Sequence, residues 1–346
     1  MAAELLVAAL GVVALVAYGV LGGADFGGGI WDLFARGPRR EAQRDAVARA
    51  MGPVWEANHV WLIFVIVILF SAFPLAYQAL SIALFLPFHL ALLGIILRGA
   101  AFVFRAYSPQ SALALSRPPG GGWGVVFGAA STITPVLLGM CLGAVSAGTL
   151  RLDPQHEVMI AGTPPWLTPV AIAMGALALS LCAYLAAVFL ANETAGELRE
   201  DFRRRALLAG TAVVALSALA LPLVRLEAPH LWNGLVGGAA TPLFLAGIAA
   251  ALASGWFLRV RRYRLARITS VLQIAALLAG WAAAQHPFII YPDLTLYDAA
   301  APRGVLLFVL WSTPAGMALL LPSLFFLFRV FKGEHLAFRE EPGEPR

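Results

Sequence analysis

The chain has 346 residues, of which 60% are hydrophobic and only 12% are charged. The charged fraction is about half that of an average soluble domain, and residues 57–97 contain no Asp, Glu, Lys or Arg. This composition excludes a soluble globular protein, which would lack the polar surface to cover such stretches, and predicts a polytopic membrane protein. The net charge of +5 comes from basic loops and does not indicate a nucleic-acid partner.

Apolar stretches long enough to cross a bilayer core of about 30 Å predict nine transmembrane helices. In chain order, these spans cover residues 5–30, 54–76, 78–97, 123–147, 166–190, 206–223, 239–258, 268–284 and 304–328. Glu4 stands where an export signal would carry Lys or Arg, so we expect the first span to be a permanent helix. Pro74 and Gln78 predict a turn between the second and third spans. Cys141 and Cys182 lie within apolar spans, and we expect both to be free thiols that pack as small hydrophobic groups.

The distribution of basic residues predicts the orientation of these helices. Nearly all of the 24 Lys and Arg residues fall in the loops after spans one, three, five and seven or in the C-terminal tail; the exceptions are Arg151, Arg225 and Arg303. Lys and Arg concentrate on the cytoplasmic side of membrane proteins. We therefore expect an all-α protein with its N-terminus outside, its C-terminus in the cytoplasm and its basic loops forming a solvated cytoplasmic face.

Asp25 is an ionisable residue inside the first predicted span, and residues 21–29 around it are rich in glycine. Charged groups at membrane depth are costly and usually face a cavity or a partner, and glycines let neighbouring helices come close. Two interpretations follow. Asp25 is either an intramembrane carboxylate on a proton or ion path, or an acid at a frayed cytoplasmic helix end, and the sequence alone leaves both open.

A second polar group opens the second span, where Trp55, Glu56, Asn58, His59 and Trp61 follow one another closely. A spacing of three residues puts Glu56 and His59 on one helix face and Trp55 and Asn58 on the adjacent face. The tryptophans are compatible with interfacial anchors, and Glu56 is compatible with a favourable charge in the first helical turn. A Glu, an Asn and a His before a long uncharged stretch nevertheless favour a functional site.

Arg98 ends the third predicted span, and Arg105 follows two helical turns later on the same face. Both side chains could extend to the cytoplasmic surface. Because the predicted topology places Asp25, Glu56 and Arg98 at the cytoplasmic ends of the first three spans, we expect them to form one cluster. An arginine there would favour the charged form of the carboxylates.

The six histidines form no recognisable haem or metal motif. The sequence has no C-x-x-C-H for covalent haem, no H-E-x-x-H zinc motif and no close pair of histidines on one span. We therefore predict that this chain has no metal site and no haem ligand.

Residues 19–29 and 55–63 resemble subunit II of cytochrome bd-type quinol oxidases. In that family the first helix usually reads D-G-F-D-x-G, and the second opens with W-[DE]-x-N-x-V-W-L-I, which W-E-A-N-H-V-W-L-I matches in full here. Arg98, Phe102 and Arg105 resemble the family pattern R-x-x-x-F-x-[FY]-R, and residues 123–143 and 288–298 are also similar. The resemblance covers most of the chain, in order and with the expected number of helices.

The resemblance implies two four-helix transmembrane bundles, at residues 1–147 and 148–290, and a peripheral ninth helix with a cytoplasmic tail at residues 291–346. It implies that this chain holds no catalytic residue, binds no cofactor alone and forms a heterodimer with a haem-bearing subunit I in the bacterial inner membrane. Subunit I would carry haems b and d, or b alone, and the complex would oxidise quinol with oxygen. A small accessory subunit, lipids and a structural quinone are further partners compatible with the family.

The resemblance also implies roles for individual residues. Asp25 and Glu56 would be the carboxylates of a cytoplasmic proton path. Trp55 and Asn58 would support Glu56, and Arg98 would orient that region.

The chain departs from the family pattern at two acidic positions. Gly22 replaces the first acid of D-G-F-D, and Val103 replaces an acid often found between Phe102 and Arg105. Both changes remove carboxylates, so the resemblance supports the identity of the subunit more strongly than its proton role. His59 stands in the supporting group, at a position where other members tolerate Gln, which fits the predicted absence of a haem ligand.

Two alternatives remain open. A proton-coupled secondary transporter would use Asp25 and Glu56 as coupling carboxylates, and the glycine-rich first helix is of a kind that transporters use, but no inverted repeat supports this class. A purely structural scaffold subunit fits the two missing acids. The substitution Glu56→Gln separates these hypotheses, because it should slow an oxidase, abolish transport, or leave a scaffold unaffected.

Overall fold

The structure is a computed structural model that describes residues 2–51, 55–107, 121–159 and 162–337, with side chains in 2–50, 58–105, 122–159 and 162–326. Its helices are α1 (Ala2–Leu33), α2 (Arg40–Met51), α3 (Trp55–Ala72), α4 (Pro74–Ala83), α5 (Phe85–Tyr107), α6 (Gly121–Ser146), α7 (Pro169–Glu193), α8 (Gly196–Glu227), α9 (Pro229–Leu235), α10 (Thr241–Arg259), α11 (Tyr263–Gln285) and α12 (Arg303–Ala337). The other elements are a 3-10 turn at Pro165–Leu167 and two antiparallel hairpins, β1 (Arg151–Leu152) with β2 (Val158–Met159) and β3 (Phe288–Ile290) with β4 (Leu294–Thr295).

Eight helices of the described chain are long and apolar enough to cross a membrane, namely α1, α5, α6, α7, α8, α10, α11 and α12. α3 and α4 form a pair bent by 118°, and counting this pair as one span gives nine within the described residues. Helices satisfy their own backbone hydrogen bonds, which is the requirement for crossing a hydrocarbon layer. The predicted all-α membrane fold is confirmed, whereas the orientation of the termini stays a prediction.

The third span begins and ends later than hydropathy predicts. In the structure Pro74 begins the short helix α4, Gln78 lies inside it, and α5 then continues past Arg98 to Tyr107. Proline is favoured in the first turn of a helix because no backbone N–H partner is needed there, so Pro74 starts a new helix instead of forming a simple turn. The prediction that Arg98 ends the span is therefore wrong, since this residue lies within α5.

α2 lies in a segment that hydropathy predicts to be a loop. Its sequence consists mainly of good helix formers, with Glu41 in the first turn and Arg49 in the last, as the helix macrodipole favours. Ala46 and Val47 are buried and belong to the same hydrophobic cluster as Phe202 of α8. The packing of this short apolar face holds α2 in place. A hydropathy search for membrane spans does not detect such a short face.

α1 lies at the centre of the helix packing and contacts α3, α6, α7 and α11. Glycines permit the closest of these approaches: a Cβ on Gly27 would collide with the carbonyl oxygen of Cys182 on α7, and a Cβ on Gly29 would collide with the hydroxyl of Ser131 on α6. Because α7 belongs to the predicted second bundle, helices of the two predicted bundles are in direct contact. The division of the chain into those bundles stays a prediction.

α12 has the smallest buried share of the eight spans and contacts α1 and α3. Its side chains Phe308, Trp311 and Leu319 are exposed. Apolar side chains on the outside of a helix are expected where lipid or another membrane subunit surrounds it.

The two hairpins are joined through Asp293. Arg151 Nε and Nη2 donate hydrogen bonds to its Oδ2 and Oδ1 at 2.7 and 3.0 Å, and the backbone N–H of Leu152 donates to Oδ2 at 2.8 Å. Partial burial opposes the charge of this carboxylate, but the hydrogen bonds from Arg151 and Leu152 outweigh burial and hold the pKa of Asp293 below its ordinary value.

We expect Asp293→Asn to lower the apparent thermal midpoint of the detergent-purified protein by a few degrees at neutral pH, because the amide loses the ion pair. A carboxylate whose pKa is lowered by folding stabilises the protein above its unfolded-state pKa and loses that contribution as the pH falls through the folded pKa. The difference between wild type and variant should therefore shrink below about pH 4. Asp153→Asn is the control, because it keeps a carbonyl oxygen for the N–H groups of Gln155 and Glu157. A difference that does not change with pH would contradict the prediction.

Candidate functional site

Four of the residues singled out from the sequence lie in one buried group. They are Asp25 of α1, Asn58 and His59 of α3, and Arg98 of α5, and we call this group the Asp25 cluster. Asp25, Asn58 and Arg98 are only 5%, 6% and 1% exposed. Asp25 and Arg98, two members of the expected cluster of Asp25, Glu56 and Arg98, lie in this group, whereas the side chain of Glu56 is outside the described side chains.

The carboxylate of Asp25 accepts a hydrogen bond from the side-chain amide of Asn58, with 2.8 Å between Nδ2 and Oδ2. α1 stays helical for about two further turns, to Leu33, and its glycines pack against α6 and α7. Asp25 is thus a buried carboxylate within a helix and does not lie at a frayed helix end.

The guanidinium of Arg98 lies between aromatic rings. Its Cζ is 5.3 Å from the centroid of the Phe26 ring and 5.4 Å from that of the Phe127 ring, distances at which a ring face attracts a cation. Nη1 lies 3.2 Å from Nε2 of His59. The expectation that Arg98 extends to the membrane surface is wrong, because α5 continues beyond it and the side chain is enclosed by α1, α3 and α6.

Glu56 and Trp55 lie in the first turn of α3, but their side chains fall outside the part of the chain whose side chains are described. Their roles stay predictions. Asn58, expected to support Glu56, donates its amide hydrogen bond to Asp25, and His59 contacts Arg98.

A second buried carboxylate, Asp32, escaped the sequence analysis. Its side chain is 3% exposed, and Arg105 Nη1 donates to its Oδ2 at 2.8 Å. A signal was available in the spacing, because Asp32 follows Asp25 and Arg105 follows Arg98 by the same two helical turns. A parallel helix pair that brings the first two residues together therefore also brings the second two together.

Tyr18 is the other residue that the sequence analysis missed. Its buried ring packs against Gly22, where a Cβ would come within 2.7 Å of Tyr18 Cε2. The centroid of the ring is 5.9 Å from that of His59 and 6.5 Å from that of Phe26. The ring of Tyr18 thus fills the space beside position 22, where the family resemblance leads us to expect an acid.

Neither cysteine nor histidine clusters indicate a metal centre in the described chain. No group of three or more His, Cys, Asp or Glu side chains there could hold a metal ion. Cys141 and Cys182 are both free thiols, as predicted.

The fold and the site together define a polytopic membrane protein with a buried, charged cluster among its helices. The family model described as cytochrome bd terminal oxidase subunit II matches residues 3–331. The chain belongs to this family.

Individual relatives agree with the family match. A Bacillus subtilis (strain 168) protein, assigned provisionally as a cytochrome bd menaquinol oxidase subunit II, is 22% identical over 336 residues and covers 94% of each chain. Cytochrome bd ubiquinol oxidase subunit 2 of the same organism is 30% identical over 209 residues, which are 60% of this chain and 59% of the relative. The solved bd oxidase from Geobacillus thermodenitrificans contains a chain of the same fold, with a TM-score of 0.79, 21% identity and coverage of 96% of this chain and 99% of that chain.

The Asp32–Arg105 pair allows a test of the geometry around the Asp25 cluster. We expect Arg105→Met alone to lower the free energy of unfolding by about 1–3 kcal/mol, because it leaves a buried carboxylate without its partner. The double variant Asp32→Asn, Arg105→Met should recover a large part of this loss. Denaturant titration in detergent micelles would measure both.

The exposed Arg264 provides the control, and Arg264→Met should change the same free energy by less than about 0.5 kcal/mol. If the losses of Arg105→Met and of the single variant Asp32→Asn simply add in the double variant, the two side chains do not interact and the pair is wrongly placed.

Proposed function

We propose that this chain is the haem-free subunit of a quinol:oxygen oxidoreductase in the inner membrane of a bacterium, where it stabilises a haem-bearing subunit I. The observation that carries the proposal is the family match over residues 3–331. The relatives are named as subunits of cytochrome bd menaquinol and ubiquinol oxidases. Quinol would be the substrate of the complex, and haems b and d, or b alone, would be its cofactors.

The surroundings of His59 do not favour haem binding by this side chain. The Nε2 of His59 faces the guanidinium of Arg98 at 3.2 Å. An axial haem ligand needs a free ring nitrogen directed at the iron, and an adjacent guanidinium repels such a metal.

Exposed apolar side chains support a partner within the membrane. α3 exposes Ile63 and Phe70, and α5 exposes Leu93 and Ile96. Lipid tails or a second membrane subunit could cover such faces, and we propose that subunit I covers part of them.

We also propose that the Asp25 cluster belongs to a proton path from the cytoplasm towards subunit I. A carboxylate can take up and release a proton at this depth, and ionisable groups within membrane helices usually serve such a purpose. Asp25 accepts its hydrogen bond from the neutral amide of Asn58, which leaves the carboxylate free to change its protonation. With the orientation predicted from the basic loops, the cluster lies in the cytoplasmic half of the membrane.

The proposed assembly predicts what accompanies the chain through purification. We expect an affinity-tagged chain, purified from its native membrane in mild detergent, to bring a larger haem-bearing subunit with it. The preparation should show haem bands in a reduced-minus-oxidised spectrum and should consume oxygen when quinol is added. A chain that purifies alone and colourless would contradict the proposal and bring the transporter hypothesis forward.

The proton path predicts the effect of removing its carboxylates. We expect Asp25→Asn, and likewise Glu56→Gln, to slow oxygen uptake of the assembled complex by at least about tenfold, because an amide cannot pass on a proton. Haem content should not change. Asp153→Asn, in the loop that carries β1 and β2, is the control for loss of a carboxylate elsewhere. Full activity of both variants would favour the scaffold hypothesis, to which the missing acids at Gly22 and Val103 already point.

A further inference from the structure

Polar atoms without a partner lie on Arg98, on His59 beside it and on Tyr18, whose ring centroid is 5.9 Å from that of His59. Arg98 Nε and Nη2, His59 Nδ1 and the hydroxyl of Tyr18 are buried and form no hydrogen bond in the described structure. Arg98 and Tyr18 are only 1% and 6% exposed. Buried polar groups in proteins are nearly always hydrogen-bonded, either to protein or to internal water, so four such atoms in one place indicate a site for hydrogen-bonding molecules.

Among these atoms, hydrogen-bond donors outnumber acceptors. A guanidinium can only donate hydrogen bonds, so Nε2 of His59, at 3.2 Å from Arg98 Nη1, must be the acceptor. The neutral imidazole then carries its proton on Nδ1, which makes Nδ1 a donor as well. The three unpartnered nitrogen atoms are therefore all donors. The hydroxyl of Tyr18 is the one member of the group that can both accept and donate.

Tyr18 and Asp25 lie on the same face of α1. Tyr18, Gly22 and Asp25 are spaced four and three residues apart, which puts them on one helix face. The ring of Tyr18 packs beside Gly22, because the glycine has no Cβ to exclude it. Tyr18 and Asp25 are about 10 Å apart along the axis at 1.5 Å per residue, a separation that water molecules would have to bridge.

We propose that Tyr18 is a positioning residue of the Asp25 site, and that its hydroxyl, together with the N–H groups of Arg98 and His59, holds water through which Asp25 exchanges protons. This inference rests on the proposed proton path. Tyr18 accepts a hydrogen bond from one water molecule and donates one to the next, and it remains a neutral phenol. A proton that arrives through these water molecules protonates the Asp25 carboxylate. Release of the proton returns the carboxylate to the charged form.

The test is Tyr18→Phe in the purified, assembled oxidase, which removes one hydroxyl and keeps the ring. We expect oxygen uptake to fall on the order of fivefold, the rate equivalent of one hydrogen bond. The solvent isotope effect in D2O should increase and the pH profile of turnover should move, because proton transfer then limits the rate. Tyr184→Phe is the matched control, since Tyr184 is also buried but donates its hydrogen bond to Ser254 at 2.6 Å, and it should change none of the three quantities.

A second variant keeps the test decisive if Tyr18→Phe does not assemble. Gly22→Ala retains the hydroxyl but displaces the ring, and it should produce the same larger isotope effect and the same moved pH profile. If Asp25→Asn slows turnover while Tyr18→Phe leaves rate, isotope effect and pH profile unchanged, this inference is wrong and the proton path stands. If Asp25→Asn itself has no effect, the proton path fails, and this inference fails with it.

Discussion

The charge of Arg98 is the constraint on which the arrangement of the first helices depends. A guanidinium buried among membrane helices is costly unless its surroundings replace the water that it leaves. Here α1 and α6 supply the faces of Phe26 and Phe127, and α3 supplies the lone pair of His59. Because each group comes from a different helix, one side chain of α5 fixes the distance and rotation of three neighbours.

The glycines of α1 make that arrangement possible. Gly27 lets the backbone of α1 touch that of α7, and Gly29 leaves room for the side chain of Ser131 of α6. A residue with a Cβ at either position would push the helices apart and admit lipid or water beside Asp25. The glycine-rich stretch thus allows close helix packing, and this packing keeps the carboxylate of Asp25 buried.

The sequence predicts the parts of this structure that depend on composition and misses the parts that depend on contacts. Uncharged stretches give the number of spans, and the motif around Asn58 with the glycines around Asp25 indicates the site. Hydropathy fails at α4, because a short helix that follows α3 at a bend of 118° has the same composition as the end of a span. Hydropathy also places the end of the third predicted span at Arg98, because an arginine is assigned to a loop when its aromatic neighbours are not known. Tyr18 was missed for a related reason, since its only sequence signal is a glycine one turn further along.

The two carboxylates of α1 show how similar spacing leads to different chemistry. Asp32 is bound directly by the guanidinium of Arg105 at 2.8 Å, so its oxygen is held in a fixed structural pair. Asp25 stands in the equivalent place relative to Arg98, yet Phe26 and His59 hold the guanidinium, and Asn58 provides the hydrogen bond to the carboxylate. A carboxylate that is near a positive charge but bound by a neutral donor can change its protonation without breaking an ion pair. Of the two, Asp25 is the one whose surroundings suit proton exchange, while Asp32 is suited to holding α1 and α5 in register.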